Sequence, residues 1–538
     1  MTTSDVEESV SSASIGAPLD TISYLIAGPW TDDVLANSAH ANPDQTALVS
    51  PSGELTYRQL DERVTRLASA LSGLVGQRGS VVALCATLAE SFGLGYFAIA
   101  RSGNVSALIN PLLRRDGLVH VLSTSAAQLA IVTPEVYAQL RQAMDRLPAL
   151  RTVVLTDRGD GSDASLAALP TLAELIASAD TTNVVVPADR DGNATACLQF
   201  TSGTTGAPKA VRLSHRNLIV NAAQTAHAHL LGRNAVLFNY LPTFHLMHLT
   251  AGVAAGATHV LCTEEDGATA AESANRHRAT HFYSLPVRLS RLAASPRLPE
   301  LEIPTLRAIL SGGSSLPVPT TTALGQQFGV PVIQGYGLAE TSPLTHCDSP
   351  VRPRTRSCGQ LVAGTESRIV DVDTRAVLPV DAIGEIQVRG PQLMQGYIGR
   401  DRSHDVDADG WFSTGDVGYV DAQGYLFVID RIKDVFKCDN WLVSPTEIER
   451  VVLQHPGVAD CVVVDYPDQF SGAVAYAIVV ARDESLTAAE VTEFVAGQRP
   501  YYEHPQHVEF VQRIPRSPNG KVQRRAIRDD VLAREAKR

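Results

Sequence analysis

Ten residues near the middle of the chain, Thr201 to Ala210, read TSGTTGAPKA. Gly203 and Gly206 allow backbone conformations in which successive N–H groups point the same way, the arrangement of an anion nest. Ser202, Thr204 and Thr205 add hydroxyl donors, and Lys209 adds a full charge. In partly screened surroundings a lysine–phosphate pair about 4 Å apart attracts by roughly 4 kcal/mol before desolvation. The stretch is not a Walker loop, which needs GxxxxGK[ST]; here the glycines are closer together and Pro208 precedes the lysine. Taken alone it also fits a flexible surface loop. His245 and His248 stand at helical spacing and could share a metal ion, but the sequence offers no evident third ligand.

The loop follows ATACLQF (Ala194 to Phe200), which reads as a strand. Upstream, Thr56 to Leu71 has apolar residues at helical spacing, with Thr56 as N-cap. Ser80 to Thr87, Val105 to Asn110, Ala130 to Thr133 and Thr152 to Thr156 are short apolar runs, and Glu90 to Gly103 reads as a helix. This alternation predicts parallel sheets with helices on their faces. After about residue 360 the pattern changes. Gly384 to Arg389 and Gly424 to Ile429 alternate like exposed strands, so a β-rich part is expected over about 360–430. From DRIKD (Asp430 to Asp434) a new set of short helices and strands begins. The expectation is an α/β protein: a mobile lead-in over 1–20, a large N-terminal domain of αβα sheet subdomains over 21–430 that includes the β-rich part, and a small mobile α+β cap over 431–538.

With 538 residues the chain can bury a large core. Its formal net charge of −12 argues against a nucleic-acid partner, which needs a basic footprint. The seven cysteines are scattered and form no CxxC pair, so reduced, mostly buried thiols in a cytoplasmic protein are expected. The polar, acidic N-terminus lacks a secretory layout, and no apolar run reaches the roughly 18 residues of a membrane span.

Seven further stretches lie downstream in a telling order: LPTFHLMHL (Leu241 to Leu249), SGGSSLP (Ser311 to Pro317), QGYGLAETSP (Gln334 to Pro343), GWFSTGDVG (Gly410 to Gly418), DRIKDVFK (Asp430 to Lys437), SPTEIE (Ser444 to Glu449) and PNGKVQR (Pro518 to Arg524). With TSGTTGAPKA they resemble the adenylate-forming enzymes, a superfamily of acyl-CoA synthetases, luciferases and peptide-synthetase adenylation domains. The resemblance covers nearly everything from about Ala41 onward and is strongest to acyl-CoA ligases. It implies a two-step reaction: a carboxylate attacks the α-phosphate of ATP to give acyl-AMP and pyrophosphate, and a thiol then displaces AMP.

The same resemblance assigns roles residue by residue. Thr201 to Lys209 would hold the outer phosphates, with Glu340 and Thr205 on Mg²⁺ and Thr341 on the α-phosphate. Tyr336, between Gly335 and Gly337, would stack on adenine above Gly312 and Gly313. Asp416 would bind the ribose hydroxyls, helped by Arg431. Lys521 would reach the carboxylate and a bridging oxygen from the cap, with Lys433 at the hinge. His245 would close the acyl pocket and move aside for the thiol, and Lys437 would serve the second step. His248, Asn440 and Trp441 would lie along the path of coenzyme A.

Some residues depart from the family text. Ala210 replaces a glycine after Lys209, His248 replaces a small residue, and Asn440 stands where glycine is usual. Glu503, His504 and Ala473 also differ from common family residues. Because these changes touch both half-reactions, a member specialised for only one half, such as thioesterification of a supplied acyl-AMP, is an alternative. So is an acyl-AMP ligase that loads a carrier protein's phosphopantetheine. PTFH has no acid for an α-amine, which disfavours an amino-acid substrate. The expected acid is lipophilic, activated in secondary metabolism, with its acyl group undecided. The oligomeric state is unset; a dimer is allowed.

Overall fold

The computed structural model describes residues 14–159, 163–180, 190–201, 208–439, 441–483, 485–516 and 522–535. Ser202, Gly203, Thr204, Thr205 and Gly206 of the loop lie outside this set, as do Asn440, Lys521 and most of the 1–20 lead-in. The chain forms two compact units: a larger one of Ser14–Ser367 with Val388–Phe412, and a smaller one of Arg368–Gln387 with the chain from Ser413 on.

The larger unit is built on two sheets. One has seven strands, in spatial order Gly396–Tyr397, Ala210–Ser214, Thr195–Phe200, Val105–Ile109, Val81–Cys85, Leu129–Val132 and Thr152–Leu155. The last five run parallel. The other has nine strands, with Val332–Gly337, Ala308–Ser311, His281–Ser284, Val236–Tyr240, Thr258–Leu261 and Thr46–Ser50 consecutive and parallel at its centre. Parallel strands need crossover helices, and the helices carry apolar stripes that match. Helix Tyr57–Val75 buries Leu60, Val64, Leu67 and Leu71. It starts where the sequence placed its cap: Thr56 Oγ1 accepts from Gln59 N, and Thr56 N donates to Gln59 Oε1. The α/β architecture of a large body and a smaller second unit is the expected one.

In the smaller unit, strands Val458–Asp468, Gly472–Ala481, Pro505–Phe510, Phe436–Cys438 and Trp441–Val443 make one sheet. Successive strand residues face opposite sides. Cys461 and Val463 therefore pack with Ile448 and Val452, while Val462 and Val464 pack with Ile527 and Val531. Both faces are covered, which explains the unbroken apolar run at this point. One expectation fails. Gly384–Arg389 is not an exposed alternating strand but is buried along nearly its whole length. Its polar side chains are paired internally: Glu385 binds Arg375 and Gly415 N, and Gln387 accepts from Arg368 Nε and donates to Ser413 Oγ. Polarity there marks hydrogen bonding to neighbours instead of solvation.

None of the seven cysteines is in a disulfide, and six of them are buried. Burial pushes the Cys85 and Cys197 thiols up to about 12, so both are inert at neutral pH. Among the described residues no helix is long and apolar enough to cross a membrane, and no cluster of three metal-ligating side chains occurs, which leaves the His245–His248 pair without a third ligand.

Two buried polar networks brace the larger unit. Asp32, with a 3% exposed side chain, bridges Arg101 Nε (3.3 Å) and Arg190 Nη2 (3.0 Å). Arg190 also covers Trp30, which stacks on His215 at 4.0 Å. Burial raises the Asp32 pKa in spite of the two guanidiniums. Removing one member of a buried pair strands the other charges, a cost of about 3–5 kcal/mol. Urea unfolding should therefore show Asp32→Ala destabilised on that scale, and Arg58→Ala, from the exposed Arg58–Asp44 pair, by less than about 1 kcal/mol. Equal small losses would contradict the network's importance.

In the second network His229 Nδ1 meets Tyr283 Oη at 2.9 Å, and His281 Nε2 donates to the His229 carbonyl at 3.0 Å. Burial, reinforced by His281, lowers the His229 pKa to about 3. A histidine in the unfolded chain titrates near 6.5, so as pH falls below about 6.5 the unfolded chain binds a proton that the folded chain refuses. Stability from this site is thus full above that pH and is lost on acidification. At about 1.4 kcal/mol per pH unit, the deficit of His229→Asn should be smaller at pH 4.5 than at pH 7.5 by roughly 3 kcal/mol. A deficit independent of pH would show that His229 is not held neutral.

Candidate active site

In open parallel sheets, ligands sit beyond the carboxyl ends of the strands. Three strand ends of the nine-stranded sheet carry predicted site residues. Ala308–Ser311 leads to Gly312 and Gly313, Val332–Gly337 contains Gly335, Tyr336 and Gly337, and Val236–Tyr240 leads to the turn before His245. Ser311 pairs with Gln334, so the two glycine-bearing ends lie side by side. Two glycines are required by the backbone. Gly313 has a φ of +86°, and a Cβ on Gly337 would stand 1.8 Å from the Pro343 carbonyl oxygen. The Tyr336 ring lies 6.1 Å from His346.

The ends of the TSGTTGAPKA loop are closed by two bonds: Thr201 N donates to Lys209 O (3.1 Å), and Lys209 N donates to Thr201 Oγ1 (3.2 Å). Ala210 begins the next strand, is 2% exposed and has no positive φ, so this backbone does not require the glycine usual at that position. The Lys209 ammonium sits 4.8 Å from the centre of the Tyr397 ring. The Tyr397 hydroxyl donates to Glu340 Oε1 at 2.6 Å. Glu340 is buried, and its Oε2 accepts no bond from the described residues. Next to it Thr341 Oγ1 accepts from Leu338 N (3.0 Å) and donates within its own turn, to the Leu338 or Pro343 carbonyl.

His245 caps helix Leu246–Ala254, its Nδ1 accepting from Met247 N at 3.3 Å. The ring is reachable from outside, yet the protein around it lowers its pKa to about 4. His248 lies one turn on, with ring centres 5.5 Å from His245 and 4.3 Å from Tyr283. Desolvation, with His245 and other histidines nearby, holds His248 neutral too. Its Nδ1 is buried without a partner.

The smaller unit holds the other predicted residues. Asp416 and Arg431 face each other across antiparallel strands, with Arg431 Nε 3.4 Å from Asp416 Oδ1. Asp416 is nearly buried and Arg431 half exposed. Burial lowers the Lys433 pKa, partly offset by Asp434. Just before that lysine, Asp430 Oδ2 accepts from Ser444 Oγ (3.0 Å) and Thr446 N (3.1 Å). Lys437 forms an ion pair with Asp373. Trp441 is 54% exposed and stacks on Tyr502 at 5.1 Å. Asp439 is left-handed (φ 50°); Asn440 itself lies outside the described residues.

Two contributors escaped the sequence reading. Tyr397 lies in the short strand Gly396–Tyr397, and His120 Nε2 donates to the Pro208 carbonyl at 2.8 Å, anchoring the residue before Lys209. Neither has a local signal, because each acts on a partner 57 or 88 positions away.

Residues 35–398 match the model of the AMP-binding enzymes, and residues 447–521 match that of the AMP-binding enzyme C-terminal domain. The chain is 32% identical to 4-coumarate–CoA ligase 5 of Oryza sativa subsp. japonica, over 94% of this chain and 95% of that protein. It is 31% identical to 4-coumarate–CoA ligase 3 of Arabidopsis thaliana, over 88% and 86% of the two chains. Among solved structures, the anthranilate CoA ligase AuaEII in complex with anthranoyl-AMP superposes with a TM-score of 0.84 at 25% identity, covering 94% of this chain and 98% of that one. The o-succinylbenzoate CoA synthetase of Bacillus subtilis, with its acyl-adenylate intermediate, gives 0.78 at 26% identity, covering 92% and 97%. The chain therefore belongs to the AMP-binding, adenylate-forming enzymes, in their acyl-CoA ligase branch.

Proposed function

We propose that this acyl-CoA ligase activates a lipophilic, aromatic carboxylic acid with ATP and Mg²⁺ and passes the acyl group to coenzyme A. The observation that carries the reading is the placement of a loop cation, Lys209, and a buried acid, Glu340, on one tyrosine. Phosphoryl transfer needs positioning and charge neutralisation more than covalent help. Lys209, with the loop from Thr201 through Ser202, Gly203, Thr204, Thr205 and Gly206, would hold the β- and γ-phosphates. Glu340 fits a magnesium ligand, since one oxygen is fixed by Tyr397 and the other is unclaimed; Thr205 would be a second. The ion would neutralise charge on the phosphates. Tyr336 would face adenine, and Asp416, oriented by Arg431, would accept both ribose hydroxyl hydrogen bonds.

The acid would lie toward His245, His248 and Tyr283, three uncharged rings that suit a flat apolar body. Relatives named for 4-coumarate and anthranilate support an aryl acid. The substrate carboxylate attacks the α-phosphorus, and pyrophosphate leaves. Lys521 would neutralise charge at the carboxylate and the bridging oxygen during this step. The cap expected over 431–538, which bears Lys521, would then turn about Asp430–Lys433, and the coenzyme A thiolate attacks the acyl carbonyl and expels AMP. Neutral His245 can move from the thiol's path without leaving a buried charge behind.

A panel of cinnamic, benzoic and fatty acids, incubated with ATP, Mg²⁺ and either coenzyme A or a phosphopantetheinyl carrier protein, should yield aryl-CoA thioesters by mass spectrometry. Thioester on the carrier alone, or from fatty acids alone, would overturn the reading. Lys521→Ala should slow adenylate formation about 100- to 1,000-fold while sparing thioester formation from supplied acyl-AMP. Equal loss in both steps would count against the turning unit.

A further inference from the structure

The segment Met394 to Ile398 touches both charged residues of the adenylating half. Met394 N donates to the Glu340 carbonyl at 2.8 Å, and the Tyr397 hydroxyl donates to the Glu340 carboxylate. On the other side, Ile398 N donates to Ala210 O (2.9 Å), Gln395 N donates to Arg212 O (2.9 Å), and Tyr397 pairs with Val211, two residues beyond Lys209. The ring of Tyr397 then lies under the Lys209 ammonium. Lys209 and Glu340 form no ion pair with each other.

We propose that Tyr397 is the positioning residue of the adenylation step, holding Lys209 by its ring face and Glu340 by its hydroxyl so that the two charges stay apart and ready for the phosphates and their cation. The proposal rests on the roles given above to Lys209 and Glu340. The physics of each contact is separate. A ring face attracts an ammonium through its quadrupole but leaves the N–H groups free to turn to a phosphate. A hydroxyl donor fixes one carboxylate oxygen and leaves the other for a cation or water. Without the tyrosine, a lysine and a carboxylate this close to a common site would be drawn to one another, and ATP would have to separate them.

The two contacts can be cut one at a time. Tyr397→Phe keeps the ring and loses the hydroxyl; Tyr397→Leu loses both. Calorimetric titration of ATP, at a series of Mg²⁺ concentrations, reads binding without turnover. Tyr397→Phe should raise the Mg²⁺ needed for half-maximal tight ATP binding about 5-fold and leave ATP affinity without Mg²⁺ near that of the wild type. Tyr397→Leu should add a loss of about 5- to 10-fold in ATP affinity without Mg²⁺. Thioester formation from supplied acyl-AMP, which uses neither outer phosphates nor their cation, should be unchanged in both. A Tyr397→Phe variant with wild-type Mg²⁺ dependence overturns the proposal, as does a parallel fall in both half-reactions, which would mark a merely structural role. Glu340→Gln separates the two levels. If Glu340→Gln leaves Mg²⁺ dependence intact, the reading of Glu340 itself fails. If it abolishes that dependence while Tyr397→Phe is silent, only the positioning role fails.

Discussion

Under the proposed roles Lys209 and Glu340 act on one ligand, and opposite charges of that kind attract each other when the ligand is away. Lys209 comes from the turn after one sheet's strand, and Glu340 from the turn after another's. Direct pairing would bury both in a contact that ATP would have to break. Instead the ammonium rests on the Tyr397 ring and the carboxylate on its hydroxyl. Each keeps bonding capacity to spare. The rest of the larger unit supplies the rigidity that makes this useful. The short strand Gly396–Tyr397 is held on Ala210–Ser214, His120 holds the Pro208 carbonyl, and buried Asn221 ties the strand after Glu340 to helix His215–Ala228.

The acyl side follows a different rule, in which charge is excluded. Desolvation lowers the pKa values of His245, His248, His229, His259 and His281 alike, though His245 is itself exposed and His229 and His281 belong to the bracing network. A neutral imidazole both donates and accepts, so such rings can line a site for an apolar acid without a counter-ion. His248, read from sequence as a departure from a small residue, packs its ring on Tyr283 and keeps its Nδ1 buried without a partner.

Much of the fold was legible because its signals are local. The capped helix from Tyr57, the apolar strands at Val81 and Val105, and the strand running into the loop were each announced by periodicity and turn residues. The misreading was of a different kind: Gly384–Arg389 alternates polar and apolar residues as an exposed strand does, but its polar groups meet partners from elsewhere in the unit. The site was legible through its motifs, and its supports were not. Tyr397, His120 and Asp373 carry no signature, since their roles exist only once distant segments meet. Ala210 looked like a constraint on the loop and turns out to be a buried strand residue with ordinary backbone.

The central claim is that this chain joins its acid to AMP before any thiol is involved. Isotope exchange between pyrophosphate and ATP tests it directly. With purified protein, Mg²⁺ and an aryl acid, but no coenzyme A, label from pyrophosphate should enter ATP, and omission of the acid should stop it. Exchange that requires coenzyme A, or label entering ATP from ADP and phosphate instead, would contradict the acyl-adenylate route.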